Sequence, residues 1–256
     1  MIKKWKITIP PLTGRRKTRR AYVYVPDAWK KDRSLRFPVL YMFDGHNVFF
    51  DSDATYGKSW GMLDYLEQHQ TPIIVAAVEC NHDPNNGRLS EYSPYTFDDL
   101  TFGHVPGRGK TTMEWMVNTF KPRIDRSYPT IPDREHTFIA GSSMGGLMTL
   151  YAVTAYNHVF SRGAALSPSL WVAPRRLDLL MKQADIAPDT VVYMDYGAEE
   201  LDNHPYMIQQ FSRAATRMLD KGVMVNCRVV PGGNHSEGSW EKQIPFFMDT
   251  LLYGLE

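Results

Sequence analysis

The residues with the clearest chemical capacity are Gly141-Ser142-Ser143-Met144-Gly145-Gly146, a Gly-x-Ser-x-Gly pattern set where an apolar run gives way to helical spacing. A strand that turns directly into a helix drives the apex residue toward positive φ. Side chains two positions to either side would then strike backbone, and Gly141 and Gly145 supply none. Ser143 is predicted to be a nucleophile exposed at a strand tip. The N–H of Met144, opening the next helix, would face the charge that develops on an attacked carbonyl oxygen.

A serine nucleophile needs a base and a group that orients the base. Where the chain order is serine, acid, histidine, the last two belong on loops after later strands. Val229-Val230-Pro231-Gly232-Gly233-Asn234-His235 ends one apolar run in a glycine turn, which makes His235 the candidate base. Among the other histidines, His69, His136 and His158 lie in or beside regular elements, and His82, His104 and His204 lack that place in the order. The run Val191 to Tyr196 ends in Gly197-Ala198-Glu199-Glu200, with Asp195 before the glycine and Asp202 beyond it. Asp195 is expected within the strand. That leaves Glu199 or Glu200 as the orienting acid on local grounds. The loop Asp44-Gly45-His46-Asn47, after an earlier apolar run, is placed to supply a second oxyanion donor from the His46 N–H. Trp171, after Ser167-Pro168-Ser169-Leu170, and Trp60, after the oxyanion loop, are the candidates for the acyl pocket, with the core as the equal alternative for Trp60 at a helix start.

The elements that must hold these residues follow from periodicity. Phe37 to Phe43 and Pro72 to Val78 are continuously apolar, as strands covered on both faces are. Further strands are expected at Thr137 to Ala140, Ala164 to Ser167, Val191 to Tyr196 and Val223 to Val230. Helical spacing covers Trp60 to Gln68, Thr112 to Tyr128 with a kink at Pro122, Gly141 to Phe160, Leu177 to Gln183, Pro205 to Leu219 and Trp240 to Tyr253. Alternating strands and helices predict an α/β fold with a mostly parallel sheet. Trp5 to Ile9 and Arg20 to Val25 alternate as an antiparallel N-terminal hairpin, with Arg15, Arg16, Lys17, Arg19 and Arg20 forming its solvated turn. His82 to Lys110, rich in Gly, Pro, Asn and Asp, reads as a long loop.

Composition removes several alternatives. The 256 residues suit one domain, 1–256, and 29 basic against 28 acidic residues leave no field to hold a nucleic-acid backbone or an anionic membrane. Two cysteines, Cys80 and Cys227, provide neither a disulfide framework nor a thiolate zinc site, and no metal or other cofactor is called for. The opening MIKKWKITIPP has no apolar run of signal-peptide length, and no stretch of about 18 apolar residues occurs. A soluble, cytoplasmic protein acting on a small molecule is expected.

At these residues the chain resembles the putative-esterase family of α/β-hydrolases. That family includes feruloyl and acetyl-xylan esterases of carbohydrate esterase family 1, S-formylglutathione hydrolases, siderophore esterases and mycolyltransferases. The likeness runs through Tyr41 to Phe49, Arg88-Leu89-Ser90-Glu91-Tyr92-Ser93-Pro94, Lys121 to Asp125, Ile131 to Arg134, the Gly141 to Gly146 turn, and Gly233-Asn234-His235 with Trp240 beyond. It implies the α/β-hydrolase fold and a Ser143, Glu200, His235 triad, because the family's acid falls three residues after the strand-end glycine. It also implies a carboxylic-ester substrate, with acetyl, short-acyl or hydroxycinnamoyl esters of carbohydrates foremost. Thioester hydrolysis and siderophore cleavage are the enzymatic rivals, and a binding protein without turnover is the rival outside catalysis. Many relatives carry His-Gly where this chain has Asp44-Gly45, a change that spares the backbone role. The chain has room for little beyond a catalytic domain, which points to a small or already released ester rather than a polymer.

Overall fold

In the computed structural model, which describes residues 1–255, eight strands form one sheet. They are β1 (Ile2–Thr8), β2 (Thr18–Tyr24), β3 (Val39–Met42), β4 (Ile74–Val78), β5 (Thr137–Ser142), β6 (Arg162–Leu166), β7 (Val191–Gly197) and β8 (Met224–Val230), in the order β1-β2-β4-β3-β5-β6-β7-β8. β1 pairs antiparallel with β2, and β2 antiparallel with β4; every pairing from β4 to β8 is parallel. The apolar runs of β3, β4 and β5 are buried throughout, as strands with helices on both faces must be. Two apolar layers result. Val39, Tyr41, Ile74, Ala76 and Ile139 face one, and Leu40, Met42, Val75, Ala77 and Phe138 face the other, by the two-residue alternation of a strand.

Several local expectations are revised. A short helix, Pro10–Thr13, lies between β1 and β2; Arg20 falls in β2 as the strand pattern has it, and Arg19 joins it there rather than in a solvated turn. Arg19 is buried against Glu91 at 2.5 Å, and Arg20 reaches Glu79 and Asp53. The segment read as one loop, His82 to Lys110, contains the helix Gly87–Glu91 and a small hairpin, Phe97–Asp99 with Gly103–Val105. Pro122 does interrupt its helix: a π turn at Met116–Phe120 separates Gly109–Trp115 from Lys121–Ser127, where the proline N–H is missing from the ladder. The closing helix divides into Glu237–Glu241 and Ile244–Leu252, with Pro245 in the first turn of the second. No helix among the described residues is long and apolar enough to cross a membrane.

Parallel strands bring their carboxyl ends to one edge. Met42 stands opposite Ala140, and Val230 opposite Gly197, so the loops after β3, β5, β7 and β8 leave the sheet side by side. In open α/β sheets the ligand crevice lies outside those ends.

Candidate active site

Ser143 sits at the apex of the β5 turn with φ 58° and ψ −121°, a region that costs a non-glycine residue on the order of 1–3 kcal/mol. The surroundings enforce that conformation. A Cβ at Gly141 would lie 2.7 Å from the Gly145 carbonyl carbon, so any side chain there opens the turn. Helix Met144–Ala155 starts at once, its interior almost wholly buried, and its first N–H groups have no partner within the helix. The Ser143 hydroxyl is half-buried and lies 3.4 Å from Ser169 Oγ.

His235 and Glu200 are joined by a short hydrogen bond. His235 Nδ1 donates to Glu200 Oε2 at 2.6 Å, and Glu200 Oε1 accepts from Ser167 Oγ at 2.6 Å and from the Gly197 N–H at 3.0 Å. Burial alone would raise the Glu200 carboxyl; the hydrogen bonds from His235 and Ser167 outweigh it and hold the group below its ordinary value. With Nδ1–H committed to the carboxylate, Nε2 is left as the acceptor. Glu200 can reach this position because a helix, Ala198–Asn203, begins directly at Gly197. Neighbouring Glu199 makes no hydrogen bond to His235: its backbone N–H bonds Gly233 O at 3.1 Å and its exposed side chain borders the cleft. Asp195 lies inside β7, as expected, and is buried.

Trp240 and the Asp44–Arg88 pair support the site in roles that no local spacing assigns, although the family likeness passes through all three. Trp240 Nε1–H donates to Ser167 Oγ at 3.0 Å, and Ser167 and His235 in turn both donate to Glu200, so the chain of donors converges on the carboxylate. The Trp240 ring also meets the His235 imidazole at 81°, with centroids 5.0 Å apart. Asp44 accepts from Arg88 Nη2 at 2.6 Å and from Arg88 Nε at 2.8 Å, a bidentate pair beneath the serine turn. Burial raises the Asp44 carboxyl, but the guanidinium overcomes this and keeps it below the usual range. The Asp in Asp44-Gly45 therefore has a structural partner. Loss of the partly exposed guanidinium would leave the buried Asp44 carboxylate without its counter-charge.

His46 lies in a single 3-10 turn, Gly45–Asn47, directly after β3. His46, Ser143 and His235 border one lobe of a cleft, a cavity of about 980 Å³ whose other walls include Tyr56, Lys58 and Asn81. A second lobe of about 530 Å³ is bordered by Trp171, Phe102, Tyr206, Glu200 and, again, His235. Trp171 is half-buried, stacked on Phe102 at 6.2 Å and edge-on to Phe97 at 5.6 Å. Trp60 must be reassigned. It is 3% exposed and packs on Trp240 and Phe247, because the chain after the oxyanion loop turns under the sheet instead of along the cleft.

Beneath the acid, Asp195 accepts from Tyr193 Oη at 2.8 Å and from the Ser167 N–H at 3.1 Å. Burial pushes its carboxyl up to about 7 despite those bonds. A carboxyl raised on folding binds more protons in the native state, so its contribution is full below an unfolded value of about 3.9 and is lost as pH rises to about 7. Asp195→Asn is accordingly expected to gain stability relative to wild type between pH 5 and pH 8. Urea midpoints at the two pH values test this, and a constant difference would refute it.

A strained serine between strand and helix borders the same cleft as a histidine–carboxylate pair at the carboxyl edge of this sheet, and the protein is a serine ester hydrolase of the α/β-hydrolase fold. The chain belongs to the family described as "Putative esterase", whose model matches residues 15–248. It is 25% identical over 185 residues to the uncharacterized protein YbbA of Bacillus subtilis, covering 71% of this chain and 69% of that one. Among solved structures it is similar to a ferulic acid esterase, with TM-score 0.67, 17% identity and coverage of 98% and 97% of the two chains. The enterobactin esterase FES of Shigella flexneri, solved in the presence of enterobactin, gives TM-score 0.74 and 16% identity, and this chain spans 60% of its length.

Proposed function

We propose that Ser143, His235 and Glu200 are a catalytic triad that hydrolyses carboxylic esters through an acyl-enzyme. The observation that carries this reading is the 2.6 Å bond from His235 Nδ1 to Glu200, made in the cleft that holds the strained Ser143. His235 Nε2 takes the Ser143 proton as the hydroxyl attacks the ester carbonyl, and returns it to the leaving alcohol. Glu200 holds the ring in that tautomer and stabilises the imidazolium. Ser143 stands 3.4 Å from Ser169 in the resting state, and bonds between nucleophile and base commonly tighten only with substrate in place. The N–H groups of Met144 and His46, each in the first turn of its helix, bind the oxyanion. Water then attacks the acyl-enzyme by the same route.

The two lobes suggest how the ester lies. The lobe with Trp171, Phe102 and Tyr206 suits a flat or short apolar acyl group, and the lobe with Tyr56, Lys58 and Asn81 suits a polyhydroxylated alcohol such as a sugar. Acetyl, short-acyl or hydroxycinnamoyl esters of carbohydrates are the substrates this favours. Kinetics on acetyl, butyryl and feruloyl esters and on a thioester test the assignment. A preference for the thioester would overturn it, and absence of fluorophosphonate labelling at Ser143 would remove catalysis altogether. Trp171→Ala should lower kcat/KM for feruloyl relative to acetyl esters by about tenfold, the worth of one aromatic contact. An unchanged ratio, with stability also unchanged, would take Trp171 out of the pocket.

A further inference from the structure

Two imidazoles and a thiol meet beside the cleft with side chains that have no part in acyl transfer. His46 follows β3, and Cys80 and His82 follow β4; since β3 and β4 are neighbours in parallel, their exit loops run side by side. The donor atoms of His46, Cys80 and His82 lie within 4.8 Å of one another. The two imidazole rings meet edge to face at 69°, with centroids 4.7 Å apart. His46 is 3% exposed and is held by one nitrogen, Nε2, which lies 3.0 Å from Thr55 Oγ1. Its Nδ1 is buried with no hydrogen-bond partner. A buried polar atom left unmatched costs on the order of 1–3 kcal/mol, so the position calls for a group that a ring nitrogen can serve. Cys80 is buried, whereas His82 is exposed and gives access from solvent.

We propose that His46, Cys80 and His82 bind one divalent transition-metal ion of the zinc class at the wall of the cleft. Two imidazoles and a thiolate suit a borderline-soft ion and not magnesium or calcium, which take oxygen donors. The cysteine count argues against a cluster of thiolates; a single thiol with two imidazoles needs only one. Coordination releases the Cys80 proton to solvent, and three protein ligands leave a fourth position facing the cleft. Metal bonds of about 2.0–2.3 Å require the three donors to close on the ion. That draws on the loop that carries the His46 N–H, so occupancy lowers turnover.

Calorimetric titration of the whole protein with Zn²⁺ is expected to give one tight site, weakened roughly tenfold or more in His82→Ala and in Cys80→Ser. Titration with Co²⁺ should raise a thiolate-to-metal charge-transfer band in the wild type that Cys80→Ser lacks. Zn²⁺ should inhibit ester hydrolysis in the wild type and inhibit His82→Ala much less. Identical isotherms for wild type and His82→Ala, or a Co²⁺ spectrum without thiolate character, would overturn the site. Inhibition undiminished in His82→Ala would trace the effect to an ion on His235 instead. His82 is exposed, so its variant keeps the test open should Cys80→Ser fail to fold.

Discussion

Ser143→Ala is expected to lose ester hydrolysis by a factor of about 10⁶ while keeping the wild-type melting temperature. The substitution removes one oxygen whose contact is a 3.4 Å approach to Ser169, so little of the fold depends on it. It leaves the strained backbone in place, held by glycine contacts at Gly141 and by the bond from the Ser143 N–H to Leu166 O at 2.9 Å. His235→Ala should be comparably severe, because a base without its nucleophile and a nucleophile without its base are equally idle. The double variant should then be no slower than either single one. Wild-type turnover in purified Ser143→Ala would end the triad assignment, and additive losses in the double variant would show that the two residues do not act as a unit.

Much of this site is legible in the amino-acid sequence, for reasons that are local. A serine turn announces itself through glycines at fixed offsets, and buried parallel strands through unbroken apolar runs, so β3, β4, β5 and the Ser143 conformation can all be read there. The supports of the site cannot. Arg88 meets Asp44 across 44 residues and Trp240 meets Ser167 across 73, and no spacing rule connects such positions. Trp60 misleads for a related reason: its neighbours Trp240 and Phe247 come from the far end of the chain, and their convergence decides that it is core. Arg19 looks like a solvated turn residue because its acidic partner, Glu91, comes from another element. The choice between Glu199 and Glu200 lies between these extremes. Local reading leaves both open, since it does not foresee a helix starting at Gly197, and only the family spacing favours the second.

That choice gives the second large expected effect. Glu200→Gln should lower kcat by about 10³ to 10⁴, whereas Glu199→Gln should stay within about twofold of wild type. The amide keeps the size of the carboxylate and can still occupy the same place between Ser167 and His235. It removes the charge that stabilises the imidazolium and, by offering a donor where an acceptor stood, it lets the ring take the tautomer with Nε2 protonated. Glu199 has no bond to His235, and its exposed carboxylate changes only the rim of the cleft. Acid stability offers an independent check. Glu200 is held below its ordinary value, so its contribution is present above an unfolded value of about 4.3 and is lost as pH falls through the folded one. Glu200→Gln should therefore flatten the acid limb of the stability profile. The assignment fails if Glu199→Gln proves the slower enzyme, or if both amides turn over at the wild-type rate.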